Sequence, residues 1–159
     1  MSNIKSLDEI KELRKSFRDA EKKVVFTNGV FDIIHAGHVD YLIKARQSGD
    51  VLIVGMNSDN SVKRIKGENR PIVPESQRAF VLSNLKPVDY VVIFEEDTPA
   101  ELIENLIRDI LIKGADWSLD NIVGKDVVLK NGGDVKTIEF VNSQSTSNIV
   151  QTILERYNR

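Results

Sequence analysis

Short runs of β-branched and aliphatic residues alternate along the chain with stretches whose apolar positions recur every three or four residues. The runs are KVVFT (23–27), VLIVGMN (51–57), VDYVVIF (88–94), DILIKG (109–114) and VKTIEF (135–140). Nearly continuous apolar runs of this length predict strands buried on both faces, as in a parallel sheet. Between them lie helical patterns of about 10 to 13 residues, the length that a crossover between parallel strands requires. The expected fold class is therefore α/β: a single doubly wound, five-stranded parallel sheet with helices on both faces.

Local punctuation supports the helices. Ser6 and Glu9 have the spacing of a capping box, which would start a helix within residues 1–22 that leads into the core. Pro99 suits a first helical position, where its missing N–H costs nothing. Gly49 follows KARQS as a helix stop, and a last helix is expected from Ser145 or Thr146 to about Tyr157. The least regular stretch is KGENRPIVP, residues 66–74.

Composition narrows the picture. With 159 residues, 41% hydrophobic and 29% charged, the chain suits one globular core, so residues 1–159 are expected to form one domain. A net charge of -2 gives no overall sign of a nucleic-acid or membrane partner. The charged N-terminus holds no apolar run of signal-peptide or anchor length, and a cytoplasmic location is expected. With no cysteine, disulfides and thiolate metal sites are excluded.

Open parallel sheets bind ligands beyond the carboxyl ends of their strands, where the winding reverses. Segments 28–38, 57–66, 95–98, 114–118 and 141–147 are therefore the places to look. The dinucleotide fingerprint GxGxxG does not follow the first strand, and neither GxxxxGK[ST] nor GxSxG occurs. What does occur is TNGVFDIIHAGH, residues 27–38, which holds both histidines of the chain. Gly29 permits close backbone approach after the strand, and Gly37 lies where a helix begins, placing His38 in its first turn. Free N–H groups and the positive end of the helix dipole favour an anion there, within reach of His35 and His38 on one side of the turn. Two alternatives stand beside a phosphate site. The pair is structural, satisfied by backbone groups, or it binds zinc with Asp32 or Asp40 as a third ligand.

TNGVFDIIHAGH resembles the signature of the cytidylyltransferase-like nucleotidyltransferases, which carry HxGH after the first strand of a Rossmann-like fold. GMNSDNSVKRIKG, RPIVPESQRA, VDYVVIFEEDTP, KGADW and STSNIV are similar to segments of one branch, the D-glycero-β-D-manno-heptose 1-phosphate adenylyltransferases. The likeness spans residues 24 to about 154. It implies transfer of AMP from ATP to that sugar phosphate, giving ADP-heptose and pyrophosphate for the lipopolysaccharide inner core. Mg²⁺ accompanying ATP, a homodimer and a separate heptose 7-phosphate kinase upstream are implied as well. A cytidylyltransferase acting on glycerol 3-phosphate, and a module that senses ATP without turnover, are the rivals. Glycerol-phosphate cytidylyltransferases carry RTEGIST before the last helix, whereas this chain has FVNSQST without arginine, which weakens the first rival.

The resemblance assigns His35 and His38 to the nucleotide phosphates as catalytic residues. Thr27, Asn28, Gly29, Phe31 and Gly37 become nucleotide contacts of the loop, joined by Gly114, Asp116 and Trp117 around the base and ribose. Trp117 has a core anchor as its alternative role. Ser145, Thr146 and Ser147 offer hydroxyls and free N–H groups to the triphosphate, or an ordinary helix cap. Lys63, Arg64, Lys66, Arg70 and Arg78 put five cations into sixteen residues. Such runs are commonly solvated faces, but after the second strand they suit a phosphate grip. Lys66 is expected at the reacting centre, Lys63 on the nucleotide, and Arg70 and Arg78 toward the sugar phosphate, with Arg64 facing solvent. Asp32 belongs to the sugar-phosphate side as a loop-shaping residue, because a bare carboxylate would repel a triphosphate. No side-chain metal site is assigned.

Overall fold

The computed structural model describes residues 3–106, 109–115, 118–139 and 145–157. Five strands, β1 (Val24–Gly29), β2 (Val51–Asn57), β3 (Tyr90–Phe94), β4 (Ile110–Gly114) and β5 (Asp134–Ile138), form one parallel sheet in the order β3-β2-β1-β4-β5. Each falls on one of the five apolar runs. β2 is buried throughout because strands and helices surround it. β5 is not the buried strand its run suggested: at the sheet edge, with Lys136 and Thr137 in it, it remains half exposed.

Among the described residues seven α-helices accompany the sheet: α1 (Leu7–Asp19), α2 (Ala36–Arg46), α3 (Asp59–Lys66), α4 (Glu75–Ser83), α5 (Ala100–Leu106), α6 (Lys125–Lys130) and α7 (Thr146–Tyr157). Alternate strand residues feed two cores, as the period of two requires. Val24, Phe26, Val51 and Ile53 pack with Ile10 and Phe17 of α1 and with Leu102, Ile103 and Leu106 of α5. Val25, Leu52, Val54 and Met56 pack on the other face with Tyr41, Leu42 and Ala45 of α2 and with Ala79 and Leu82 of α4. The sheet is thus covered on both faces.

The amino ends of the strands are stapled by aspartates. Asp109 accepts from Val24 N at 2.8 Å and pairs with Arg14 of α1 at 3.1 Å. Asp89 accepts from Leu52 N at 2.7 Å and pairs with Arg46 of α2 at 2.8 Å. α1 starts with the expected capping box, Ser6 Oγ accepting from Glu9 N and the Glu9 carboxylate from Ser6 N. Just before it, the N-terminal segment covers the β3 edge: Lys5 N donates to Val91 O and Val91 N to Asn3 O, both at 2.9 Å.

The strand order reverses between β1 and β4. β1 pairs with β2 along its whole length, yet with β4 only through Val25–Ile110 and Phe26–Leu111. Beyond those pairs the ladder stops, and the carboxyl ends of β1 and β4 are free to border a crevice.

Candidate functional site

The crevice is a cleft of about 610 Å³. Its walls come from the end of β1 and the loop after it (residues 28–32), the end of α3 with the following loop, the turn after β3 and the start of α7. Asn28, Gly29, Phe31, Asp32, His38, Lys66, Arg70, Ser145, Thr146 and Ser147, all expected from the sequence, line it together.

The loop after β1 is shaped by two residues that give little of themselves to the cavity. Phe31 adopts φ 48°, the left-handed region that side chains disfavour, and its buried ring lies 5.4 Å from the His38 ring. A Cβ at Gly29 would meet that ring at 3.0 Å, so glycine is needed for close packing rather than for its own dihedral freedom. Asp32 is almost fully buried. Its carboxylate accepts from Arg70 Nε at 2.6 Å, from Ile72 N at 2.9 Å and 3.0 Å, and from Val73 N at 2.9 Å. Each oxygen is engaged by protein donors, which suits loop shaping and leaves it no part in binding a phosphate. Through it, the β1 loop holds Arg70 on the cleft wall.

His35 is the backbone N-cap of α2, without a side-chain cap bond, and His38 sits in the first turn. Their rings lie against each other, centroids 4.0 Å apart and planes tilted by 33°. Both Nδ1 atoms are buried without a hydrogen-bond partner, at a cost of about 1–3 kcal/mol each. A structural pair satisfied by backbone groups would not carry that cost, and no group of three His, Cys, Asp or Glu suited to a metal occurs among the described residues. Burial, reinforced by the neighbouring His35, lowers the His38 pKa to about 4, and burial lowers that of His35. In the free protein both rings are neutral at pH 7.

Several expected contacts have other duties. Arg78 is 1% exposed, donating Nε to Val73 O at 2.9 Å and Nη1 to Val30 O, and pairing with Asp59 at 2.7 Å. It is a buried clamp between the β1 loop, the loop before α4 and the start of α3, rather than a phosphate grip, because each of its three nitrogens bonds protein and the side chain does not line the cleft. Thr27 is fully buried, its hydroxyl 2.7 Å from Tyr41 Oη, and does not line the cleft. Gly37 is buried in the first turn of α2, and Gly114 ends β4 in register with Ile138; neither lines the cavity. Lys63 is exposed on α3 and is not among the lining residues. Arg64 does not simply face solvent: its Nε donates to Asp97 at 2.7 Å and its Nη2 to Glu95 O. Asp116 and Trp117 lie outside the described residues. At α7, Ser145 Oγ accepts from Asn148 N at 3.1 Å, so it caps the helix while bordering the cleft.

Asn57, Asp97, Thr98 and Lys113 also line the cleft, without having been assigned a site role from the sequence. Their signal was positional: each lies at or just past the end of a strand, where the sheet topology puts ligands. Lys113, with Lys66 and Arg70, makes the cleft cationic.

Residues 26–153 match the family model described as cytidylyltransferase-like. The chain is 51% identical over 156 residues to the bifunctional protein HldE of Citrifermentans bemidjiense, covering 98% of this chain and 32% of that protein. For bifunctional protein HldE of Campylobacter curvus the identity is 57% over 150 residues, covering 94% and 31%. The chain thus spans about a third of the length of the curated relatives it matches. Among solved structures, the lipopolysaccharide core biosynthesis protein from Thermoplasma volcanium superposes with a TM-score of 0.62 at 31% identity, over 77% of this chain and 99% of that one. Pantothenate synthetase from Thermus thermophilus shares the fold, with a TM-score of 0.62 at 15% identity, over 92% of this chain and 66% of that one.

Proposed function

The chain belongs to the cytidylyltransferase-like family, and from that membership we propose that it is a nucleotidyltransferase moving AMP from ATP to D-glycero-β-D-manno-heptose 1-phosphate. The observation that carries this is the packed His35–His38 pair with its unpartnered ring nitrogens, set at a helix N-terminus beside a cationic cleft. The HldE relatives and the lipopolysaccharide core protein support the sugar phosphate as acceptor.

A phosphate oxygen of the sugar ester forms a bond to the α-phosphorus as the bond to the bridging β-oxygen breaks, and pyrophosphate leaves with that oxygen. Because the attacking phosphate is already ionised, no strong base is needed. Catalysis is then positioning plus stabilisation of charge on the phosphoryl oxygens. His38, with His35 against it, donates to the α-phosphate, and Lys66 offsets charge on the nucleotide. Arg70, oriented by Asp32, grips the acceptor phosphate. Ser145, Thr146 and Ser147 receive the triphosphate tail at α7. Mg²⁺ entering as its complex with ATP would supply further charge neutralisation, and no side chain is assigned to hold it. The homodimer and the upstream kinase rest on the resemblance, and the cytoplasmic location on the charged N-terminal residues. Among the described residues no helix is long and apolar enough to cross a membrane.

The test is pyrophosphate release with four nucleotides crossed against heptose 1-phosphate, glycerol 3-phosphate and ethanolamine phosphate. ATP with heptose 1-phosphate is expected to be the fastest pair. CTP with glycerol 3-phosphate in that place would replace the substrates, and ATP binding without release for any acceptor would make the domain a sensor.

A further inference from the structure

A carboxylate on the wall of a cleft that takes phosphates needs a reason, because it repels them. Asp97 is such a group, and it is held there by several bonds. One face of α3 and its cap, at residues 58, 61 and 64, is spent on the turn after β3. Ser58 Oγ donates to the Glu95 carboxylate at 2.8 Å, Ser61 Oγ donates to Glu96 O at 2.7 Å, and Arg64 bonds both Glu95 O and the Asp97 carboxylate. Asn57, another lining residue, donates to Ser61 Oγ at 2.9 Å. A turn tied at each of its three residues to a neighbouring helix is pre-organised, and what it presents to the cleft is Asp97 followed by Thr98.

The Asp97 carboxylate is already paired with Arg64 at 2.7 Å, which disfavours a cation on it. An ionised carboxylate only accepts hydrogen bonds, two or more at once, and vicinal hydroxyls are its natural donors. Arg64 takes one oxygen and offsets the charge, which lessens repulsion of the phosphate while leaving acceptor capacity toward the cavity. Asp97 shares the cleft with Arg70, the cation that Asp32 orients.

We propose that Asp97, positioned by Arg64, is the specificity-determining residue that reads the hydroxyls of a polyhydroxylated phosphate ester whose phosphate is gripped by Arg70. This rests on the proposed transfer to a sugar phosphate and names the residue that distinguishes such an acceptor from a bare phosphate. A site built to bond hydroxyls discriminates strongly against ligands that lack them.

Calorimetric titration of the protein, saturated with a non-reacting ATP analogue, with heptose 1-phosphate and with inorganic phosphate tests it. Asp97→Ala is expected to lower the ratio of the two affinities about tenfold, the scale of one hydrogen bond to a charged group, with affinity for the analogue unchanged. Arg64→Ala should lower the same ratio by less, and Arg64→Lys should recover part of it. Asp97→Asn, which keeps the shape and removes the charge, decides the matter if the alanine variant does not fold. An affinity ratio that neither Asp97 variant changes overturns the assignment. Pyrophosphate release by the wild type is scored separately. Selective, Asp97-dependent binding without release would sink the transfer reaction and leave the hydroxyl-reading role standing.

Discussion

In the proposed mechanism His38 is the donor to the reacting phosphate, and two predictions belong to it. Replacing it with alanine should lower kcat about 10²-fold to 10³-fold, as loss of one transition-state donor does elsewhere, with an unchanged circular dichroism spectrum. An unaltered rate of pyrophosphate release would remove it from the mechanism. The second prediction concerns pH. Its pKa of about 4 lies below the ordinary 6.5 because burial, with His35 alongside, disfavours the charged ring. The unfolded chain therefore binds a proton that the folded chain refuses. Stability should decline as pH falls from about 6.5 to about 4 and level off below, by roughly 1–3 kcal/mol given partial solvent access. Urea midpoints at pH 7 and pH 5 measure the decline, and His38→Gln should flatten it. Phosphate in the cleft acts in the opposite direction by favouring imidazolium, so ATP binding near pH 6 should take up protons. Titration in buffers of different ionisation enthalpy would detect this, and no uptake would mean the rings donate while neutral.

At the scale of elements, the site is an agreement between loops. The β1 loop, the loop before α4 and the start of α3 meet on Arg78, and the first two also meet on Asp32. Arg78→Lys retains the charge but cannot reach three acceptors, so it should destabilise the fold by roughly 2–4 kcal/mol, less than a fully buried pair because Asp59 is one-third exposed. Chemical denaturation checks it. A stable variant with a raised KM would return Arg78 to the phosphates. Asp32→Asn loosens Arg70 and should raise KM for the sugar phosphate more than it lowers kcat, as removal of uniform binding does. A rise confined to KM for ATP would place Arg70 on the other ligand. None of this division of labour is visible in KRIKGENRPIVPESQR, where every cation looks equally available. Which guanidinium is buried depends on carbonyls contributed from residues 30 and 73, distant from one another in sequence.

For the whole molecule, the two ends of the sheet do different work. Aspartates staple the amino ends of β1 and β2 to helices, while the carboxyl ends open where β1 and β4 part company. Stability and catalysis should therefore separate. Asp89→Ala leaves Leu52 N and Arg46 without their partner and should cost about 1–3 kcal/mol, lowering Tm while kcat/KM at room temperature is unchanged. A drop in kcat/KM in the folded variant would show that the ends communicate.

The sequence by itself determined what depends on local period and spacing. Five apolar runs became five parallel strands, the inner ones because residues buried on both faces must be apolar wherever they lie, and β5 as a half-exposed edge. Glycine and histidine placed after the first strand marked the turn into α2, because a helix start needs only its own few residues. Tertiary structure alone decided which charges are free. Asp32, Arg64 and Arg78 acquired their roles from partners that the fold brings to 2.6–2.9 Å, and no one-dimensional pattern encodes which donor an acceptor will meet. The histidines' neutrality arose in the same way, since desolvation is a property of the packed surroundings and not of HAGH.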